Sequence, residues 1–331
     1  MRCAVVGAGA WGTALGNLLA RNGHATTLWA HEPEVVDSIC TRHENHAFLA
    51  GIALDVGLQA TADLGAALHG AELVVFATPS AHLRRLARQS RELVSRSATL
   101  AVATKGIEAD TLALMTDVVE QELEGLRVVA VSGPSFAAEV AYGHPTAIVA
   151  AAAAPDAAEL VQGALSNAAF RVYTNDDVRG VELGGALKNV MAVATGICEG
   201  LELGHNSRAA LITRGLAEMT RLGVALGARS ATFAGLAGLG DLVLTCTGAL
   251  SRNRAVGLEI GRGRSLDEAL AGKQTVAEGV HTTRSAHALA QREEVDMPIV
   301  TTVFRILFDG QSPRDGITEL MTRELRAERD R

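Results

Sequence analysis

A basic cluster is what this 331-residue chain most plainly lacks. Its 30 lysines and arginines are outnumbered by 37 aspartates and glutamates, for a formal net charge of −7. Recognition of nucleic acid or an anionic lipid surface needs basic side chains gathered on one face, so a polyanion-binding role is excluded. Cysteine is scarce and unpatterned: Cys3, Cys40, Cys198 and Cys246 lie far apart with no C-x-x-C spacing. They read as buried, reduced thiols of a cytosolic protein. No His, Cys, Asp or Glu residues fall at a metal-ligand spacing, so no metal site is expected and activity should be insensitive to chelators. Uncharged stretches are interrupted, as at Gly143-His144-Pro145, and no membrane span is expected. The opening MRCAVVGAGAWG has one basic residue and breaks into glycines, which reads as a first strand and its turn rather than a signal peptide. Internal repeats are also missing.

What is present is a chain 48% hydrophobic, long enough to bury sizeable cores and to divide into two domains. Short β-rich runs at Arg2–Val6, Ala25–Trp29, Glu72–Ala77, Thr99–Ala103 and Arg127–Val131, with a further candidate at Thr146–Ala151, alternate with helix-compatible spacers such as Trp11–Asn22 and Ala81–Val94. This βαβ alternation predicts an α/β domain with a doubly wound parallel sheet. The alanine-rich segment 150–160 contains Pro155-Asp156, a helix-start signal, and reads as a strand end passing into a helix. Beyond about residue 176 the strand signal fades. Helix-compatible segments follow at Val178–Cys198, Arg208–Leu226, Ser251–Ile260, Thr282–Gln291 and Thr301–Leu307, predicting a mainly helical C-terminal domain. The expected division is 1–176 and 177–331.

Directly after the first strand, Gly7, Gly9 and Gly12 form G-x-G-x-x-G at the start of a helix. The glycines allow a tight turn and close backbone approach, and the helix N-terminus offers free N–H groups to a pyrophosphate. The strand before it and the second strand ending about 20 residues on make this a Rossmann-type dinucleotide site. An NAD-specific site places a carboxylate at the second strand's tip; here Ala30 and His31 stand there and Glu32 comes one step later. NAD and NADP both stay open, since His31 can donate to a 2′-phosphate.

Only three residues are lysine, and Lys188 lies within the nearly uncharged VELGGALKNVMAVATGI. One helical turn away are Gly184, Gly185, Met191 and Ala192, so no carboxylate on its own helix pairs with it. The two glycines leave room for something to approach the backbone closely. A buried ammonium is costly unless its pKa shifts or it meets an opposite charge, and such a lysine can move protons near neutral pH. The competing account is a stem that crosses the helix face while its head reaches water. Lys105 follows a strand of the parallel sheet, at the edge where ligands of such sheets bind. Gly133, Pro134 and Ser135 close another strand there.

GLAGLGDLVLTCTGALSRNRAVG supplies Asp241, Thr245, Ser251, Arg252, Asn253 and Arg254 around glycines. Forked arginine donors, Asn253 and helix-start N–H groups together suit a phosphate handle on a small substrate. Asp241, in an otherwise apolar run, is expected to meet the ammonium of Lys188 or Lys105.

Taken together, GAGAWGTAL, ATKGIE, SGPSFAAEV, ELGGALKNVMAVATGICEGLELGHNSRAALITRG, GLAGLGDLVLTCTGALSRNR and TVAEGVHTT resemble the bacterial-type NAD(P)-dependent sn-glycerol-3-phosphate dehydrogenases from residue 7 to beyond 280. The resemblance implies interconversion of dihydroxyacetone phosphate and sn-glycerol 3-phosphate, with Lys188 as proton acceptor in oxidation and donor in reduction. It implies that Lys105 and Gly133 touch substrate, with Ser135 beside them, and that Asp241, Ser251, Arg252 and Asn253 complete the substrate site. Asn189 and Thr245 join the same polar network. Cofactor contacts implied are Trp11, His31, Lys105, Ala137, Arg252, Val276 and Glu278, beside Gly7, Gly9, Ala10 and Gly12. A cytoplasmic homodimer that supplies glycerol 3-phosphate for phospholipid synthesis is also implied. Two departures stand out: Ser207 where a threonine is expected, and His31-Glu32 without a nearby arginine. The alternatives are a two-domain 3-hydroxy-acid or ketol-acid oxidoreductase and a nicotinamide sensor without turnover.

Overall fold

The computed structural model describes residues 1–271, 277–325, 327 and 328. Val276 lies outside the described residues. Eight strands form one sheet: β1 (Arg2–Val6), β2 (Ala25–Trp29), β3 (Gln59–Thr61), β4 (Leu73–Phe76), β5 (Thr99–Val102), β6 (Arg127–Ser132), β7 (Thr146–Ala151) and β8 (Phe170–Asn175). Their spatial order is β3-β2-β1-β4-β5-β6-β7-β8. The order reverses between β1 and β4, and such a switch point opens a crevice at the carboxyl ends of the strands. Register places Val6 opposite both Trp29 and Phe76, and Phe76 opposite Val102, so the β1, β4 and β5 tips end level. Every residue of β4 and β5 is buried, as expected where helices cover both faces of the sheet.

The expected doubly wound parallel sheet is present with one antiparallel pairing, β6 with β7, while β7 and β8 are parallel. The connection from β6 to β7 holds only a six-residue helix, which packs beside the first helix instead of carrying the chain back along the sheet. Helices of this half are α1 (Ala10–Arg21), α2 (Pro33–Arg42), α3 (Leu64–Leu68), α4 (Ser80–Ser90), α5 (Met115–Glu122), α6 (Ala137–Tyr142) and α7 (Pro155–Leu165). Cys40 corrects the expectation of buried thiols: it is exposed on α2, whereas Cys3, Cys198 and Cys246 are buried.

From Val178 the chain is helical: α8 (Val178–Gly200), α9 (Gly204–Ala225), α10 (Ser230–Phe233), a π-turn (Leu236–Gly240), α11 (Asp241–Thr247), α12 (Arg252–Gly261), α13 (Leu266–Leu270), α14 (Glu278–Arg292), α15 (Pro298–Phe308) and α16 (Pro313–Met321). α8 is apolar all around and forms the axis of the second core. A side chain added at Gly196 would strike the Arg254 carbonyl and one at Gly257 the Val193 carbonyl, so α8 and α12 meet backbone to backbone. Length and composition alone would let α8 cross a membrane, as they would Ser230–Thr247, contrary to the expectation that no stretch qualifies. The α8 window is 94% buried inside the protein, which accounts for its apolarity as core.

Two carboxylates from the helical half cap helix starts in the sheet half. Glu182 of α8 accepts from the Thr116 N–H (2.8 Å) and hydroxyl (2.5 Å) in the first turn of α5. Glu278, first residue of α14, accepts from the Ser80 N–H (3.2 Å) and hydroxyl (2.7 Å) at the start of α4. These bonds set how α8 and α14 face the sheet edge.

Candidate functional site

The glycine turn divides its three glycines between two roles. Gly7 has φ +119°, and a Cβ on it would lie 2.7 Å from the Ala77 carbonyl oxygen; a Cβ on Gly12 would collide with the Gly7 carbonyl. Both are required by the protein's own packing. Gly9 is different, because a Cβ there would meet nothing within 4 Å. It precedes α1 without any side-chain cap, so the first N–H groups of Ala10, Trp11 and Gly12 lie beside open space at the positive end of the helix dipole. The indole Nε1 of Trp11 is buried without a hydrogen-bond partner. Open space over Gly9, free helix-start donors and an orphaned buried donor fit a dinucleotide at this edge. His31 is exposed at the β2 tip, and Glu32 makes no capping bond to α2.

Deeper in the crevice two lysines converge on one carboxylate. Lys188, mid-way along α8 and only 8% exposed, donates to Asp241 Oδ1 and, at 2.9 Å, to the Thr245 hydroxyl. Lys105, at the β5 tip, donates to Asp241 Oδ2 at 2.6 Å and to the Gly133 carbonyl at 3.3 Å. Asp241 is completely buried at the first position of α11, directly after the π-turn. Thr245 is held one turn along by its hydroxyl's bond to the Asp241 carbonyl (2.7 Å). Burial pushes the Lys188 pKa down to about 8; the Asp241 charge opposes this and the Lys105 charge adds to it. Two ammoniums share one carboxylate, leaving the cluster an excess positive charge for an anionic oxygen. The paired glycines before Lys188 admit protein: a Cβ on Gly184 would strike the Ala237 carbonyl in the π-turn, and one on Gly185 would strike the Ser132 hydroxyl.

The phosphate-cradle residues separate into bonded and free groups. Asn253 is buried and bridges helices: its Nδ2 donates to Asn189 Oδ1 (2.9 Å), and its Oδ1 accepts from the Gly279 N–H (2.9 Å). One Nδ2 hydrogen is left for a ligand. Ser251 is buried and caps α12 by accepting from the Arg254 N–H at 3.3 Å. Arg254 is used structurally, paired with Glu199 and bonded to the Gly248 carbonyl. Arg252 is exposed at the start of α12, yet desolvation of its guanidinium by the surrounding protein holds its pKa below the ordinary arginine value, and the Glu278 charge opposes that shift. Ser135 donates to the Gly133 carbonyl at 2.9 Å, and Ala137 opens α6 at the same edge.

Sequence reasoning missed Ser80, Gly106 and Ser132. Ser80 follows the β4 tip through Thr78-Pro79, and Gly106 packs against it so closely that an added Cβ would lie 2.9 Å from the Ser80 Cβ. The signal was available, since TPS after a strand of a parallel sheet marks a helix start at the ligand edge. Ser132, beside Gly185, holds a buried hydroxyl without a partner. A hollow of about 150 Å³ among Arg91, Arg96, Glu122 and Glu124 lies at the other end of α4 from Ser80 and belongs to a separate ion-pair network. Among the described residues no group of three or more His, Cys, Asp and Glu could hold a metal ion.

Two family models match this chain: the NAD-dependent glycerol-3-phosphate dehydrogenase N-terminus over residues 2–158 and the C-terminus of the same family over 177–318. Glycerol-3-phosphate dehydrogenase (NAD(P)+) of Geobacter sp. (strain M21) is 53% identical over 330 residues, covering 99% of this chain and 98% of its own length. The protein of that name from Koribacter versatilis (strain Ellin345) is 55% identical over 327 residues, 97% of each chain. A solved structure of glycerol-3-phosphate dehydrogenase from Coxiella burnetii superposes with a TM-score of 0.94 at 41% identity, covering 97% of this chain and 99% of that one.

Proposed function

The chain belongs to the NAD-dependent glycerol-3-phosphate dehydrogenase family, and on that premise we propose that Lys188 moves the proton in its reaction. It is an NAD(P)-dependent oxidoreductase that interconverts dihydroxyacetone phosphate and sn-glycerol 3-phosphate. The observation that carries the role of Lys188 is its buried ammonium, held by Asp241 and Thr245 with its pKa pushed down to about 8. A group that titrates there can give a proton in one direction and take it in the other.

The glycine turn would hold the cofactor by its pyrophosphate, and the bound nicotinamide would be the source of hydride in reduction and its acceptor in oxidation. Lys188 donates its proton to the substrate oxygen as alkoxide character develops, and accepts that proton in the oxidative direction. Asp241 holds both lysines through separate oxygens, and Thr245 fixes which way the Lys188 ammonium points. Lys105 adds the second positive charge that favours the alkoxide. Arg252, the remaining Asn253 hydrogen and the free N–H groups of the first turn of α12 take the phosphate. Gly9, Ala10, Trp11 and Gly12 would take the cofactor's pyrophosphate end in the turn that Gly7 shapes, His31 would meet its adenosine ribose, and Lys105, Ala137, Arg252 and Glu278 would be its further contacts.

Residues 1–176 act as the cofactor domain and 177–331 as the substrate domain, so closure over both ligands assembles the site and expels water. A cytoplasmic homodimer supplying glycerol 3-phosphate to phospholipid synthesis completes the reading. The test is loss of reduced-nicotinamide absorbance on adding dihydroxyacetone phosphate, with NADH and NADPH compared. Rapid oxidation is expected; no oxidation by folded protein that binds coenzyme would remove the substrate assignment.

A further inference from the structure

Arg252 presents an unusual arrangement: the Gly279 N–H donates to Asn253 Oδ1 at 2.9 Å and so sets the adjoining residues Glu278 and Arg252 on neighbouring helix starts, yet no ion pair or hydrogen bond to Arg252 occurs among the described residues. Ser80 engages both oxygens of the Glu278 carboxylate, the N–H at 3.2 Å and the hydroxyl at 2.7 Å. We propose that Ser80 is a positioning residue that holds Glu278 off Arg252 and so keeps the guanidinium free for the substrate phosphate. The inference rests on the reading of Arg252 as the phosphate ligand.

Ser80 is well supported for this task. The β4 tip is fixed to the β5 tip by the Thr104 hydroxyl, which donates to the Thr78 carbonyl at 2.9 Å and accepts from the Thr78 N–H at 3.2 Å. On its other side Ser80 abuts Gly106, the residue after Lys105, whose φ of +154° and missing side chain allow the contact. Ser80 is also the first residue of an eleven-residue helix, so its N–H has no intrahelical acceptor and is free for Glu278. Glu278 and Arg252 open helices joined by the bond from the Gly279 N–H to Asn253, so the two residues are neighbours within the helical half itself. Without the Ser80 hydroxyl, one carboxylate oxygen loses its partner. Arginine, with its forked donors, is the nearest competitor for that oxygen, and a paired Arg252 must give up that partner before a phosphate can bind.

The experiment is steady-state reduction of dihydroxyacetone phosphate at saturating reduced nicotinamide for Ser80→Ala, Ser80→Thr, Ser80→Ala with Glu278→Gln, Arg252→Ala, and Arg252→Ala with Ser80→Ala. Ser80→Ala should raise the KM for dihydroxyacetone phosphate about tenfold while kcat changes by less than about twofold, the size expected for one hydrogen bond to a charged group. Ser80→Thr should restore the KM because it keeps both donors. Adding Glu278→Gln should lower the KM of Ser80→Ala, since a neutral amide no longer neutralises Arg252, whereas a merely structural role for Ser80 predicts no recovery. In the Arg252→Ala background Ser80→Ala should have no further effect on KM. An unchanged KM in Ser80→Ala beside a raised KM in Arg252→Ala overturns the Ser80 inference alone. An unchanged KM in Arg252→Ala overturns the phosphate reading beneath it.

Discussion

The two halves of this molecule bring different material to one crevice. On the sheet side the cofactor's groove is mainly backbone, the glycines at the β1 tip and the helix-start N–H groups of α1, and Lys105 is the one side chain from that side that reaches Asp241. On the helical side the chemistry is carried by side chains set into the most buried element, with Lys188 on α8 and Asp241 at the end of a π-turn. A cofactor with a long charged backbone can be held by many weak, evenly spaced donors. A proton transferred at one oxygen needs a single group at one place with one pKa, and a tightly packed helix provides that.

The sharpest way to break this contrast is Lys188→Met, which keeps the stem's volume and removes the proton. Turnover should fall at least ~10²-fold, the usual scale for general acid catalysis, while coenzyme titration monitored by fluorescence is unchanged. If turnover stays near normal, the helical half does not carry the proton chemistry.

Smaller effects are expected on the sheet side, where they test the division of labour among the glycines. Gly9→Ala projects a methyl group into open space and should leave thermal unfolding unaltered while weakening NADH binding about tenfold, roughly one lost hydrogen-bonded contact. Gly12→Ala drives a methyl group into the Gly7 carbonyl and should lower stability by about 1–3 kcal/mol, as overpacking does. Equal unfolding temperatures for the two variants would contradict the assignment of Gly12 to packing.

The gentlest test uses pH. With its pKa lowered to about 8, Lys188 is protonated below that value and neutral above it. Reduction needs the protonated form, so its kcat/KM should decline as pH rises through about 8, whereas oxidation needs the neutral form and should gain over the same interval. Profiles that move in the same direction through that interval would disconnect Lys188 from the proton.

Much of the fold was legible because its patterns are local. Short β-rich runs gave β1, β2, β4, β5, β6 and β7, and the segments expected to be helical coincide with α1, α4, α8, α9, α12, α14 and α15. β3 escaped because it is three half-exposed residues, Gln59–Thr61, whose strand character comes from pairing with β2. β8 went unread although Phe170, Val172 and their exposed neighbours alternate, and the antiparallel turn from β6 into β7 leaves no mark on the strand residues themselves. In the site, Lys188 was conspicuous as a charge without a local partner, and Asp241 as a charge in an apolar run. That Lys105 shares the same carboxylate, and that Asn253 bridges Asn189 to Gly279, are relations across more than twenty residues of chain.

The sequence by itself determined which segments become strands and helices, where a dinucleotide turn lies, and which charged groups must find partners away from their own helix. Those outcomes depend on side-chain periodicity, backbone freedom at glycine and the penalty for burying charge, all readable within a few residues. Tertiary structure alone decided that Asp241 stands between two ammoniums and that Glu278 is held by Ser80. Partner choice is set by which atoms the packed chain brings within about 3 Å of each other, and that distance belongs to the whole fold.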